Sequence, residues 1–123
     1  MNNKELGTAF EKEMCDRLSK NGYWVHFITP DRRGAQPFDI IAVKDGFAMA
    51  IECKTLSNQS KWFSHNRLED NQLLAMEKWL ACGNLEPMIA ISWRSKILFV
   101  TYSGLKEMGK INMEEEWNKY VTR

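Results

Sequence analysis

Residues 38–54 read FDIIAVKDGFAMAIECK, and they decide the fold. Two apolar, β-branched runs, Phe38–Lys44 and Phe47–Lys54, flank Asp45-Gly46. That dipeptide favours the two-residue type I′ turn, whose twist matches paired strands. The stretch therefore reads as a β-hairpin. A two-residue turn sets Lys44 against Phe47, and counting outward sets Asp39 against Glu52. Opposed side chains of an antiparallel pair lie roughly 5 Å apart at Cβ. Side chains alternate faces along a strand, so Lys54 shares the face of Glu52. Asp39, Glu52 and Lys54 should converge at the open end of the hairpin.

The neighbours of these charges are apolar: Phe38, Ile40, Ile41, Ala42, Val43, Ala48, Met49, Ala50 and Ile51 imply a hairpin covered on both faces. Two carboxylates held together there repel each other and lose hydration. A divalent cation between them relieves both penalties. Hard oxygen donors without a histidine or cysteine cluster suit magnesium or manganese better than zinc. Such a cation can bind a phosphate oxygen and activate water, and Lys54 can stabilise charge on the phosphorus. The competing reading is an ion pair of Glu52 with Lys54 at a strand end, with Asp39 as a turn former.

Working outward, residues 4–20 read as a helix with Leu6, Phe10, Met14 and Leu18 on one stripe, ended by Gly22. Tyr23–Ile28 reads as a strand and Thr29–Gln36 as a polar loop. Residues 55–65 read as a second polar loop. Asn66 is placed as the cap of a second helix, with Glu69 three residues on, running to about Ala81. Pro87–Trp93 and Lys96–Tyr102 form a second strand pair around Arg94-Ser95, and a last helix covers roughly Met113–Tyr120. This order predicts an α/β fold with a mixed central sheet flanked by helices.

The whole chain bounds the answer. Its 123 residues suit one domain, 1–123, and 44% hydrophobic residues suffice for a core. With 17 basic and 16 acidic side chains, the net charge of +1 excludes a uniformly basic nucleic-acid coat but not a local patch. No apolar run approaches the roughly 18 residues of a membrane helix, and Met1–Glu5 lacks a signal peptide's apolar stretch. Three cysteines, Cys15, Cys53 and Cys82, form no C-x-x-C pair. They read as small core residues in a reducing, cytoplasmic setting. His26, between Val25 and Phe27, reads as a partly buried structural histidine. Glu114-Glu115-Glu116 reads as a solvated helix start.

Two further polar residues sit on apolar faces. Glu11 lies on the first helix near Gly7, Met14 and Leu18, at the rim of the core face. Gln72 lies on the second helix between Leu68, Met76 and Trp79. A buried amide needs a partner, and backbone would serve as well as a site.

Gly7-Thr8-Ala9-Phe10-Glu11, Pro37-Phe38-Asp39, Glu52-Cys53-Lys54 and Asn71-Gln72, in that order, resemble the PD-(D/E)XK nuclease superfamily. Within it the chain is similar to the Holliday junction resolvases, of both the archaeal and the RecU type. The resemblance covers roughly residues 5–80, and the chain's size is nearer the archaeal type. It implies a restriction-endonuclease-like core and hydrolysis of DNA phosphodiesters. Asp39 and Glu52 would bind Mg2+ (or Mn2+), helped by Glu11 and the backbone carbonyl of Cys53. Lys54 would position the attacking water and Gln72 would assist. It also implies a homodimer acting on branched DNA.

DNA contacts are expected from Arg32 and Arg33 before Asp39, and from Lys61, Trp62 and Arg67 after Lys54. The basic groups would meet phosphates and the indole an unpaired base. Two alternatives stand beside the resolvase: a restriction- or repair-type nuclease of the same fold acting on duplex, flap or single-stranded DNA, and a non-catalytic DNA-binding module. Against the last, clustered acids repel DNA unless a metal neutralises them.

Overall fold

The computed structural model describes residues 2–29 and 36–121. Helix α1 (Asn3–Lys20) is capped by Asn2, whose side chain accepts from the Glu5 amide. Phe10, Met14 and Leu18 of its stripe are buried, while Leu6 remains exposed. Gly22 follows with φ +88°, the left-handed residue that lets the chain leave the helix. Strand β1 (Trp24–Phe27) then pairs antiparallel with β2 (Ile40–Lys44).

The β2–β3 hairpin has the expected register. Lys44 faces Phe47 and Ile40 faces Ile51, with β3 running from Phe47 to Thr55. Asp45 and Gly46 both take positive φ, 53° and 82°, as a type I′ turn requires. Strand β2 is shorter than the sequence suggests. Asp39 lies just outside it, because its carboxylate captures the Cys53 amide hydrogen at 2.8 Å.

Strand β5 (Met88–Trp93) runs parallel to β3, and β6 (Lys96–Thr101) pairs antiparallel with β5. The five-stranded order is β1-β2-β3-β5-β6, a mixed sheet as expected. Helix α1 packs on one face through Phe10, Met14 and Leu18 against Ile40, Ala42, Ile51, Cys53 and Ala90. The other face carries the larger core, which includes Phe38, Ala50, Phe63, Met76, Ile89, Ile91 and Tyr102. Helix α2 (Asp70–Ala81) contributes to it.

The structure corrects several expectations. Residues 55–65 are not all loop: β4 (Trp62–Ser64) pairs with β7 (Lys110–Asn112) in a second, two-stranded sheet. Phe63 and Ile111 point into the core, which makes this short ribbon worth forming. Asn66 does not cap α2. The Ser64 side chain caps a 3-10 turn at His65–Arg67, Leu68 is extended, and the capping box joins Glu69 to Gln72. Tyr102 starts a further helix, α3 (Tyr102–Met108), rather than ending β6, because the Thr101 hydroxyl accepts the Gly104 amide hydrogen. Helix α4 spans Met113–Val121. His26 is exposed and stacks on Trp24, since β1 is an edge strand. Cys53 is buried, but Cys15 is half-buried and Cys82 exposed.

Candidate active site

The C-terminal half of β3 carries Glu52 and Lys54 into the interior, beside the parallel neighbour β5. The carboxyl ends of parallel strands are where α/β sheets open a crevice. Asp39 and Glu52 are each 3% exposed and Gln72 6%, the buried polar residues of the described chain. The expected convergence is present. Lys54 Nζ lies 3.4 Å from Glu52 Oε2. Gln72 Nε2 donates to the same oxygen at 2.6 Å. With burial already raising the Glu52 carboxyl, Asp39 stands close enough for its charge to hold it up further.

Each group is held by local structure. Asp39 Oδ2 accepts from the Cys53 amide, and Oδ1 accepts from Gln36 Nε2 at 3.2 Å. Gln72 Oε1 accepts from the Glu69 amide at 2.9 Å, so one side chain both caps α2 and presents its NH2 to Glu52. The backbone partner expected of a buried glutamine is present, and Glu52 is a second partner. Asn71 Nδ2 donates to the Gln36 carbonyl at 2.7 Å and anchors the loop that positions Asp39. Sequence reasoning missed Gln36. Its only signal is an amide three residues before the aspartate.

Electrostatics set these groups apart from ordinary acids. Burial, then the Asp39 charge, pushes Glu52 up to about 8, against the pull of Lys54. Burial also raises Asp39, opposed by its hydrogen bond from the Cys53 amide. Glu11 approaches from α1 half-buried, and burial and then Asp39 push it to about 7. Cys53 packs its thiol on the α1 side, where burial holds it protonated, so only its backbone is suited to act at the site.

The arrangement fits a hard cation. Glu52 Oε1 is buried without a hydrogen-bond donor among the described residues. A buried acceptor left unpaired costs about 1–3 kcal/mol. Among those residues no three His, Cys, Asp or Glu side chains form a ready-made metal cluster. Two carboxylates with the balance of ligands from water and substrate phosphate is how magnesium is usually held. The Gln72 arm can be weighed alone. Gln72→Leu should lower the unfolding free energy by about 1–3 kcal/mol, because it strips donors from Glu52 and an acceptor from the Glu69 amide. Urea unfolding at neutral pH measures it, and an unchanged midpoint would refute the pairing.

The expected DNA contacts divide. Arg32 and Arg33 lie outside the described residues. Arg67 donates to the Thr55 carbonyl at 2.9 Å and covers the Phe63 ring, so it braces the end of β3 next to Lys54. Lys61 and Trp62 are exposed at the β4–β7 ribbon, away from the carboxylates' hydrogen-bond network, and Lys110 covers the Trp62 ring. No helix of the described residues is long and apolar enough to cross a membrane.

Comparison with known proteins bears on the family and the fold. The crossover junction endodeoxyribonuclease Hjc of Methanocaldococcus jannaschii is 29% identical over 115 residues, covering 94% of this chain and 80% of that protein. The crossover junction endodeoxyribonuclease Hje of Sulfolobus acidocaldarius is 26% identical over 95 residues, 76% of this chain and 65% of that protein. The solved structure of Archaeoglobus fulgidus Hjc, a Holliday junction resolvase, superposes with a TM-score of 0.65 at 22% identity, covering 88% of each chain, which speaks for the fold. Resolvase nucleases of this kind generally use a divalent metal and bind junction DNA. The family described as archaeal Holliday junction resolvase (Hjc) matches residues 2–119, so the chain belongs to that family of PD-(D/E)XK-type crossover junction endodeoxyribonucleases.

Proposed function

We propose that the chain resolves four-way DNA junctions as a magnesium-dependent homodimer, with Asp39 and Glu52 holding the cation and Lys54 acting on the scissile phosphate. The observation that carries this is the pair of buried carboxyls facing each other beside Lys54, with Glu52 Oε1 left without a donor. Glu11 and the Cys53 carbonyl would add donors once a cation is bound. The bound cation supplies Lewis-acid polarisation of the phosphate and a neutral-pH source of hydroxide.

The chain's own residues do the rest. Lys54 donates hydrogen bonds toward the attacking water and the phosphate oxygens, where negative charge develops in the transition state. Gln72 fixes Glu52 Oε2, so that Oε1 would be available to a cation. Gln36 and the Cys53 amide hold Asp39 in one rotamer. Attack forms a new P–O bond, breaks the bond to O3′ and leaves a 5′-phosphate. Two copies related by a dyad would place two such sites on strands of like polarity.

The test offers labelled four-way junction, linear duplex of matched sequence and a flap, each with magnesium and with EDTA. Paired nicks confined to the junction, dependent on magnesium, are expected. Equal cutting of all three substrates would overturn the junction claim, and binding without cutting would overturn the catalytic one. Sedimentation of the complex as two chains per junction checks the dimer.

A further inference from the structure

A glycine inside α1, one turn before Glu11, has no packing reason to be there. Gly7 lies in α1 one turn before Glu11, and Asn3 lies one turn before Gly7, so the three share a stripe. Glycine in a helix interior costs stability relative to alanine. Tight packing or a positive φ usually accounts for one. Gly7 has neither: a Cβ there would meet nothing within 4 Å, and its φ is not positive.

The stripe leads to an open groove of about 390 Å³ at the carboxyl ends of β3 and β5. Asn3, Ser57, Asn58, Gln59, Arg94 and Ser95 supply its polar lining. The groove begins at Thr55, the residue after Lys54, and no acidic side chain lines it among the described residues. Its polar surface is braced. Arg94 donates from its backbone to Asn58 Oδ1 and from Nε to the Asn58 carbonyl, while Nη1 pairs with Glu114 at 3.0 Å. Ser57 Oγ donates to Gln59 Oε1. The positive end of the α1 dipole also opens here.

The geometry points to a backbone-binding track for the DNA strand that leaves the scissile phosphate: past Gly7, where the missing Cβ lets a phosphodiester approach the helix, and into the groove between Asn3 and Arg94. The inference rests on the nuclease reading and deepens it. Hydroxyls and amides suit phosphate and sugar oxygens and read no sequence, with the Arg94 guanidinium, itself paired to Glu114, beside them.

Gly7→Ala and Ser57→Asp test it, in the full chain. Gly7→Ala should raise the melting temperature by about 2–4 °C, since alanine is the better helix former and has room. It should weaken binding of a four-way junction in calcium by about tenfold, and lower cleavage in magnesium in step. Ser57→Asp, at an exposed loop position, should fold normally and weaken binding at least as much, with the loss growing at low salt, where charge repulsion is least screened. Both variants binding as tightly as the wild type would overturn the track while leaving the nuclease reading intact. A Gly7→Ala chain that melts lower than the wild type would show a structural glycine and overturn it too. A wild-type chain that neither binds nor cuts the junction would overturn both readings.

Discussion

Asp39→Asn should cut a four-way junction at least about 10³-fold more slowly than the wild type, while binding it at least as tightly. The size follows from the charge. A cation's stabilisation of the transition state amounts to several kcal/mol, and each 1.36 kcal/mol is tenfold in rate. Asparagine keeps the oxygen that accepts the Cys53 amide hydrogen, so the strand end should hold. What it removes is the charge of one of the two buried carboxyls. Metal-free binding should therefore improve, because one less acid faces the phosphates. Single-turnover cleavage and gel-shift titration separate the two effects. An asparagine variant cutting within tenfold of the wild type would refute Asp39 as a cation ligand.

Magnesium should stabilise the folded chain strongly at pH 8.5 and weakly at pH 5. Glu52 titrates near 4.5 in the unfolded chain and about 8 in the folded one. Between those values the folded chain keeps a proton that the unfolded chain has lost, so rising pH favours unfolding. Stability from this group is complete below about pH 4.5 and lost progressively as pH climbs through 8. The loss is on the order of 5 kcal/mol. Glu11, raised to about 7, adds in the same direction. A cation takes the place of the proton, so added magnesium should flatten the decline. Thermal melts from pH 5 to 9, with magnesium and with EDTA, measure this. A metal-free chain more stable at pH 8.5 than at pH 5 would contradict the buried-acid account.

The hairpin and its charges were legible because short-range rules fix them. Asp45-Gly46 sets the turn, the turn sets the register, and strand alternation then brings Asp39, Glu52 and Lys54 together. Gln72 was legible as an amide on an apolar stripe, although its two partners were not. Pairing remote in sequence was illegible. Strands β4 and β7 are three residues each, too short to show a period, and Phe63 joins Ile111 only through the tertiary fold. The start of α2 was misplaced because Asn66 and Glu69 satisfy the same capping rule, and the intervening 3-10 turn decides between them. His26 was misjudged because a strand's sequence does not reveal that it lies at the sheet edge. Gln36 and Arg67 act through contacts, to Asp39 and to the Thr55 carbonyl, that no spacing announces.

The paired carboxyls should hold a cation. A crystal soaked in manganese at pH 8 tests it by anomalous scattering. A peak bridging Asp39 and the Oε1 side of Glu52, with Gln72 still bonded to Oε2, is the expected result. Density free of manganese at these carboxylates, in a crystal that cuts junction DNA when dissolved in the same buffer, would contradict it.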